Sequence, residues 1–433
     1  LTNVFNIKER ISMNKVYTTL QNCRVCKSTD MQEVIAIEDQ YLSPTFVKTN
    51  ENNPISKIKV PHTLMLCNCC SLLQLKETVE PDLLYKQYFY RSSTNDMMRE
   101  DLKKVVDDVM TRVELNSGDS VLDIGSNDCT MISYFPDFLD RNGIEPAENI
   151  DWSSVDPSIT IVNDYFTRES VDKAVGDSKV KVFTSCAMFY DIDDPNAFVD
   201  TVKRKLHKDG VFCIQLSYLP AMLVNLNFYD ICNEHLEYYS LTSLQALMSR
   251  HNLEIFDAQE NHVNGGSVKV MITHSENKRK KTENLKRLYK VEEEMNLESP
   301  DTYKDFHNKI IEMKNKVADH IQSEINMGEL VLGLGASTKG NMLLQLFGLT
   351  KDKIPAISER NPDKVGLRTL GTDIELISEE KARSLGPSCM LVLPWYFKKE
   401  IVAREQDYID SGGSLLMPMP YPHLITKDGE VRL

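Results

Sequence analysis

The stretch Val121-Leu-Asp-Ile-Gly-Ser-Asn-Asp-Cys-Thr130 decides the fold. Val121, Leu122 and Ile124 form a short apolar run that reads as a buried strand, with Asp123 at its end. Gly125 follows in a turn that must let backbone approach a ligand. Outward from here the pattern alternates. NGIEPA reads as a second strand and its end, VKVFTSCAM as another, DPNAFVDTVKRKLHKDG as a helix closed by Gly210, and VFCIQLSY as the next strand. Strands alternating with helices predict an α/β fold with a doubly wound, largely parallel sheet, which binds ligands outside the carboxyl ends of its strands.

Upstream, residues 92–116 are helical in pattern, with Met97, Met98, Leu102, Val105, Val106 and Val109 at helical spacing. The part before Arg91 holds close cysteine pairs and short strand-like runs. Downstream, residues 275–327 are highly charged, yet Tyr303, Phe306, Ile310, Met313, Val317 and Ile321 keep a helical period. This predicts one or two amphipathic helices joining two lobes. ELVLGLGASTKGN then begins a second strand-turn-helix unit, continued by SCMLVLPW and GSLLMPMP. The expected divisions are 14–91, 92–275, a helical connector at 276–327, and 328–433, with no internal repeat evident.

A chain of 433 residues suits two or three domains. The net charge of −14 argues against nucleic acid or an anionic membrane as partner, while leaving room for a small anionic substrate held by a few basic residues. No apolar run is long enough for a membrane span. The first dozen residues, with Lys8, Glu9 and Arg10, do not read as a signal peptide, and Met13 reads as an internal start. Ten cysteines without a secretory signal point to a reducing compartment, with the cytoplasm as the expected location.

Four of those cysteines form two knuckles, Cys23-Arg-Val-Cys26 and Cys67-Asn-Cys-Cys70. Four thiolates suit tetrahedral Zn²⁺, and a closed shell without an open position makes the metal structural. Cys69 reads as a bystander, and Cys129, Cys186, Cys213, Cys232 and Cys389 as packing residues.

The turn after Asp123 carries Gly125, Asn127 and Asp128. Glu145 ends the next strand, where a carboxylate can accept both ribose hydroxyls. Asp164, Tyr165 and Phe166 follow a third strand, where an acid and aromatics can bracket an adenine. A pyrophosphate site would favour the full G-x-G-x-x-G, which is absent. Asp128 in the turn repels phosphate yet suits a cationic sulfonium, so the expected cofactor is S-adenosylmethionine. Farther on, Phe228 to Leu241 gathers Glu234, His235, Tyr238 and Tyr239 just past a strand, a general base with orienting partners or a hydrogen-bonded buried histidine.

The knuckles, VLDIGSND, GIEP, EHLEYYSL, NGGS (264–267), GASTKGN (335–341) and LPW (393–395) occur in this order. That order closely resembles the sugar C-methyltransferases acting on nucleotide-linked ketosugars, over about Cys23 to Pro420. The resemblance implies an amino-terminal zinc-binding domain, a central class I S-adenosylmethionine methyltransferase domain and a carboxyl-terminal Rossmann-like domain. It implies methylation of a carbon beside the ketone of a nucleotide-diphosphate deoxysugar, through an enolate. His235 is the implied base, Glu234 its orienting partner, and Tyr238 and Tyr239 holders of the enolate or sugar hydroxyls. Tyr85, Tyr88, Tyr90 and Ser92 match the stretch that closes over the site, and Asn264, Ser267, Lys339, Asn341 and Trp395 complete the expected substrate contacts. Gly333, Gly335 and Gly340 with Lys339 suggest a diphosphate cradle, to which Arg360, Lys364 and Arg368 add charge; Trp395 stacks on a base or caps the core.

Two departures separate this chain from the pattern. Cys232 and Asn233 stand where some members carry tyrosine and histidine, and Asn264-Gly-Gly-Ser-Val-Lys269 replaces HGGSLR. Both bear on which sugar, and which atom, is methylated. Other readings of the same residues are an O- or N-methyltransferase, an NAD-dependent oxidoreductase built on VLGLGAST, and an inactive zinc-containing binding protein. The expected assembly is a monomer or dimer.

Overall fold

In the central sheet, Ser120–Ile124 (β1), Asp140–Ile144 (β2), Thr160–Val162 (β3), Val180–Cys186 (β4), Leu206–Ser217 (β5), Leu253–Asn261 (β6) and Ser267–His274 (β7) lie in the order β3-β2-β1-β4-β5-β7-β6. All pairs are parallel except those made by β7. The computed structural model describes residues 16–433 apart from 44, 52–56, 87–89 and 95, so Met13 and Tyr88 fall outside the described residues. Every residue of β1 is buried, as expected for an inner strand covered on both faces. The winding reverses at β1: β2 pairs on one side and β4 on the other. That reversal opens a crevice above the carboxyl ends of β1 and β4.

The helix Asp96–Arg112 (α1) buries Met98, Leu102, Val105, Val106 and Val109. Met97, expected on the same face, is exposed, because one residue turns the side chain by about 100°. The helix expected to run to Gly210 ends at Lys205, and β5 begins at Leu206. Gly210 lies within that strand, where a Cβ would come within 3.0 Å of the Lys181 carbonyl. The glycine therefore marks a close approach of two backbones instead of a helix stop.

The connector folds as two helices, Glu283–Glu294 and Pro300–Asn326 (α2). The six apolar residues that keep the helical period in α2 are its buried residues. Beyond it, Val331–Leu334 (β8), Ala356–Glu359 (β9), Glu375–Ser378 (β10), Cys389–Val392 (β11) and Ser414–Met417 (β12) form a parallel core in the order β10-β9-β8-β11-β12. This repeats the arrangement β3-β2-β1-β4-β5, of which the sequence pattern shows only the second strand-turn-helix unit.

The three parts exchange strands. The amino-terminal sheet runs Glu237–Tyr238, Leu73–Leu75, Lys59–Cys67, Met31–Tyr41, so its edge strand comes from the segment that carries His235. Phe46–Val47 pairs with Arg368–Thr369 at the edge of the carboxyl-terminal sheet. Among the described residues no helix is long and apolar enough to cross a membrane.

Candidate active site and metal centre

The two cysteine knuckles meet. The Sγ atoms of Cys23, Cys26, Cys67 and Cys70 all lie within 4.8 Å of one another, with Cys23–Cys70 at 3.6 Å and Cys26–Cys67 at 3.4 Å. Zn–S bonds of about 2.3 Å in a tetrahedron place the sulfurs about 3.7 Å apart, so the donor set fits Zn²⁺. Burial pushes the Cys67 thiol up to about 12, while the hydrogen bond from Cys70 brings Cys23 down to about 5. Four thiolates packed this closely need a cation to coexist. Cys69 is exposed and bonded to Ser28, outside the cluster.

Above β1 and β4 lies a cavity of about 590 Å³. Its floor is Gly125, at φ +70°, where a Cβ would meet Met188 Cγ at 3.0 Å; the turn has no room for a side chain. Glu145 ends β2 with its carboxylate held by two backbone amides, Asn127 N–H on Oε2 and Ala147 N–H on Oε1, each at 2.9 Å. Burial raises its pKa, and the group faces the cavity. An adjoining apolar slot of about 480 Å³ is walled by Pro146, Tyr165, Phe166, Met188 and Ile192. Phe166 packs on Phe198 with ring centres 4.3 Å apart. A ribose on Glu145 with an adenine in the slot fits this geometry, and the acidic surroundings fit a sulfonium, so the residues match S-adenosylmethionine.

Asp123 and Asp128 support this floor from outside the cavity lining. Asp123 accepts a 2.7 Å bond from Thr184 on β4, tying the two strands at the switch point, and burial pushes its carboxyl up to about 7. Asp128 accepts from the Ser93 amide and the Thr130 hydroxyl. Asn127 lines the cavity and holds Ser92 through its side-chain oxygen. Asp164 bonds to the Tyr165 amide and does not reach the cavity, whereas the Tyr165 hydroxyl donates to Asp82.

His235 and Glu234 line the other end of the same cavity. Burial, and then the charge of Lys339, hold the imidazole down to about 3, so it is neutral at working pH. The ring packs against Tyr190 at 4.3 Å, with the Asp230 backbone acting weakly in favour of its protonated form. No hydrogen bond links Glu234 to the ring among the described residues: Glu234 stands in the turn closed by the His235 amide on the Cys232 carbonyl, and its carboxylate meets the Cys232 thiol. Burial pushes the Glu234 carboxyl up to about 7.

Tyr238 and Tyr239 leave the cavity. Tyr238 belongs to the edge strand of the amino-terminal sheet, and its hydroxyl donates to the His235 carbonyl at 3.2 Å. Tyr239 is buried against Phe189 in the core that includes Cys23 and Cys70. Tyr85, Tyr90, Ser92, Asn264 and Ser267 do line the cavity, with the Tyr85 hydroxyl donating to the Glu234 carbonyl.

The carboxyl-terminal domain supplies the opposite wall through Ser337, Thr338, Lys339, Lys364 and Tyr396. Ser337 caps the helix Thr338–Leu346 (α3) by accepting from the Gly340 amide. Lys339 pairs with Asp230 at 2.6 Å. Glu359, at the end of β9, mirrors Glu145: Oε2 accepts from Ala336 N–H and Oε1 from Asn361 N–H. Arg360 and Arg368, expected to add charge, turn to Glu400 and to Asp373 instead. Asn341 is buried on the Ser43 carbonyl, and Trp395 bonds the Tyr229 hydroxyl; neither reaches the cavity. Tyr190, Asp191 and Tyr396 line it without having been singled out in the sequence, and Cys186, expected as a packing residue, lines it too. Only the position of Asp191 just past a strand end offered a signal.

Three family models match the chain. They are described as "Putative zinc binding domain" at residues 23–85, "Methyltransferase domain" at residues 98–258, and "C-methyltransferase C-terminal domain" at residues 262–420. The C-methyltransferase NovU of Streptomyces niveus is 27% identical over 418 residues, which cover 96% of this chain and 99% of that one. Among solved structures, an S-adenosylmethionine-dependent methyltransferase from Clostridium acetobutylicum overlays 42% of this chain and 93% of its own at 11% identity and a TM-score of 0.33. The 1,6-didemethyltoxoflavin-N1-methyltransferase of Burkholderia thailandensis overlays 42% and 79% at 12% identity and a TM-score of 0.32.

Proposed function

We propose that this chain, which belongs to the S-adenosylmethionine-dependent C-methyltransferases with an amino-terminal zinc-binding domain, methylates a carbon beside the ketone of a nucleotide-linked deoxysugar. The observation that carries the reading is the placing of a neutral His235 in one cavity with the Gly125–Glu145 floor and the Ser337–Lys339 wall. The cofactor supplies an electrophilic methyl group on a sulfonium sulfur.

Glu145 holds the ribose hydroxyls, and Gly125 lets the backbone pass close beneath. A ketone acidifies the neighbouring C–H, and His235 takes that proton. A neutral imidazole keeps one ring nitrogen with a free lone pair. Tyr396, whose hydroxyl burial keeps protonated, is a neutral donor for the developing oxyanion. The start of α3 and Lys364 form the side on which a diphosphate rests.

The test is incubation of the zinc-loaded chain with S-adenosylmethionine and a set of nucleotide-ketosugars. A gain of one methyl by mass spectrometry, placed on carbon by NMR, is expected. In heavy water without methyl donor, the hydrogen beside the ketone should exchange in a His235-dependent manner. A methyl group on oxygen or nitrogen would overturn the enolate route.

A further inference from the structure

The acceptor end of the cavity holds two carboxyl groups that the protein leaves unmatched. Asp191 closes the turn after β4 and lines the cavity, and its Oδ1 is shielded from solvent with no hydrogen-bond partner among the described residues. Glu234 lines the same wall and is 5% exposed. The hydrogen-bond partner found for its carboxylate is the Cys232 thiol, a weak donor 4.0 Å away. The cation within reach, Lys339, is engaged by Asp230 at 2.6 Å. Neither Asp191 nor Glu234 forms an ion pair with a described residue.

Mutual proximity and burial have an electrostatic signature. Burial first, then the charges of Glu234 and Glu237, push the Asp191 carboxyl well above its usual range. Buried carboxylates persist only when something pairs with them. His235 does not, since its ring is neutral. A sugar hydroxyl satisfies one acceptor oxygen but brings no charge. A protonated amine brings three N–H donors and a full positive charge, the complement of two carboxylates lining one wall.

We propose that Asp191 and Glu234 recognise an ammonium substituent on the acceptor sugar, carried close to the carbon that receives the methyl group. This rests on the reading of the acceptor as a ketosugar. Asp191 is then a specificity-determining residue, and the chain selects an aminosugar over its hydroxyl counterpart because the latter leaves the buried Glu234 carboxyl and the shielded Asp191 Oδ1 without a cation.

The experiment is calorimetric titration of the full zinc-loaded chain, saturated with S-adenosylhomocysteine, with two nucleotide-linked ketosugars that differ only in an amino or a hydroxyl group beside the ketone. The amino compound should bind about ten- to a hundredfold more tightly, the range for hydrogen bonds to charged groups. Asp191→Asn, nearly isosteric, should erase that preference while leaving affinity for the hydroxyl compound unchanged. Equal affinities in the wild type, or an equal loss for both sugars in the variant, would overturn the proposal. So would a loss confined to S-adenosylhomocysteine, because the ammonium recognised would then be the cofactor's own. A second arm compares thermal stabilisation by free glucosamine and by glucose, which needs neither nucleotide nor ketone. If the nucleotide sugars fail to bind but glucosamine is preferred in an Asp191-dependent way, the nucleotide-sugar reading falls and the ammonium site stands. If glucosamine is not preferred either, the ammonium site falls.

Discussion

Replacing Arg24 should disable the active site from the metal knuckle. Arg24 lies between two zinc-type cysteines and is 1% exposed. Its guanidinium donates to the Leu75 carbonyl at 2.6 Å and to the Thr78 hydroxyl at 2.7 Å, and lies 3.6 Å from Glu237. Glu237 is also 1% exposed, and neither carboxylate oxygen has a hydrogen bond. Leu75 in turn donates its amide to the Leu236 carbonyl at 2.8 Å, next in the chain to His235. Arg24→Met therefore leaves the Glu237 carboxyl, which burial already pushes well above its usual range, without its neighbouring cation, and loosens the strand that carries the base. Removing one partner of a buried pair costs about 3–5 kcal/mol. A small displacement of a base costs about 100-fold in rate. The assay is zinc release under urea, followed with a chromogenic chelator, beside steady-state turnover. Arg24→Met should lower the urea midpoint and kcat together. Arg24→Met/Glu237→Leu, which replaces the pair by apolar side chains, should recover most of the midpoint. A single variant with the wild-type midpoint, or a double variant no better than the single, would refute the coupling.

His235→Ala and His235→Gln should retain S-adenosylhomocysteine binding by calorimetry while losing methyl transfer and exchange beside the ketone; unchanged turnover in both would remove His235 as the base. Glu145→Gln should weaken S-adenosylhomocysteine by about ten- to a hundredfold, since it loses a charged acceptor for ribose; an unchanged Kd would move the ribose elsewhere. His62 is fully buried, and its pKa is lowered from 6.5 to about 4 by burial. The unfolded chain then takes up the proton first, so this group's contribution falls as pH drops from 6.5 to about 4, by about 3 kcal/mol in all. His62→Leu should flatten the fall in urea midpoint across that window relative to wild type, and parallel curves would contradict it. Elemental analysis should find about one zinc per chain, and a folded, metal-free protein would exclude the four-cysteine site.

What was legible in the sequence was local. The Val121–Thr130 strand and turn, the cysteine spacings and the apolar face of α2 follow from short-range periodicity and chemistry, and the structure places them as read. Glu145 was legible because it stands where a strand must end. Tertiary placement was not. Tyr238 and Tyr239 sit beside His235 in sequence, yet their strand joins a sheet made almost 170 residues earlier, so they face a different core. Glu234 adjoins His235 in sequence, yet the turn between Cys232 and His235 sets its carboxylate against the Cys232 thiol. Arg360 and Arg368 carry the right charge, but acids on their own domain hold them. Asp191 was missed because its one local signal, standing just past a strand end, is shared by many acids; its isolation appears only when the elements around it are assembled.

The exchanged strands also dictate a schedule for synthesis. Leu73 waits for Tyr238, and Phe46 waits for Thr369. A growing chain can close the cysteine knuckles as soon as Cys70 emerges, but the amino-terminal sheet keeps an open edge until the His235 segment follows. That edge is the kind of exposed backbone that pairs with the wrong neighbour. The last junction, between Phe46–Val47 and Arg368–Thr369, closes only when most of the polypeptide has left the ribosome. Cavity assembly is thereby deferred to the end of translation, and truncated forms of this chain should be prone to aggregation well before they could be catalytic.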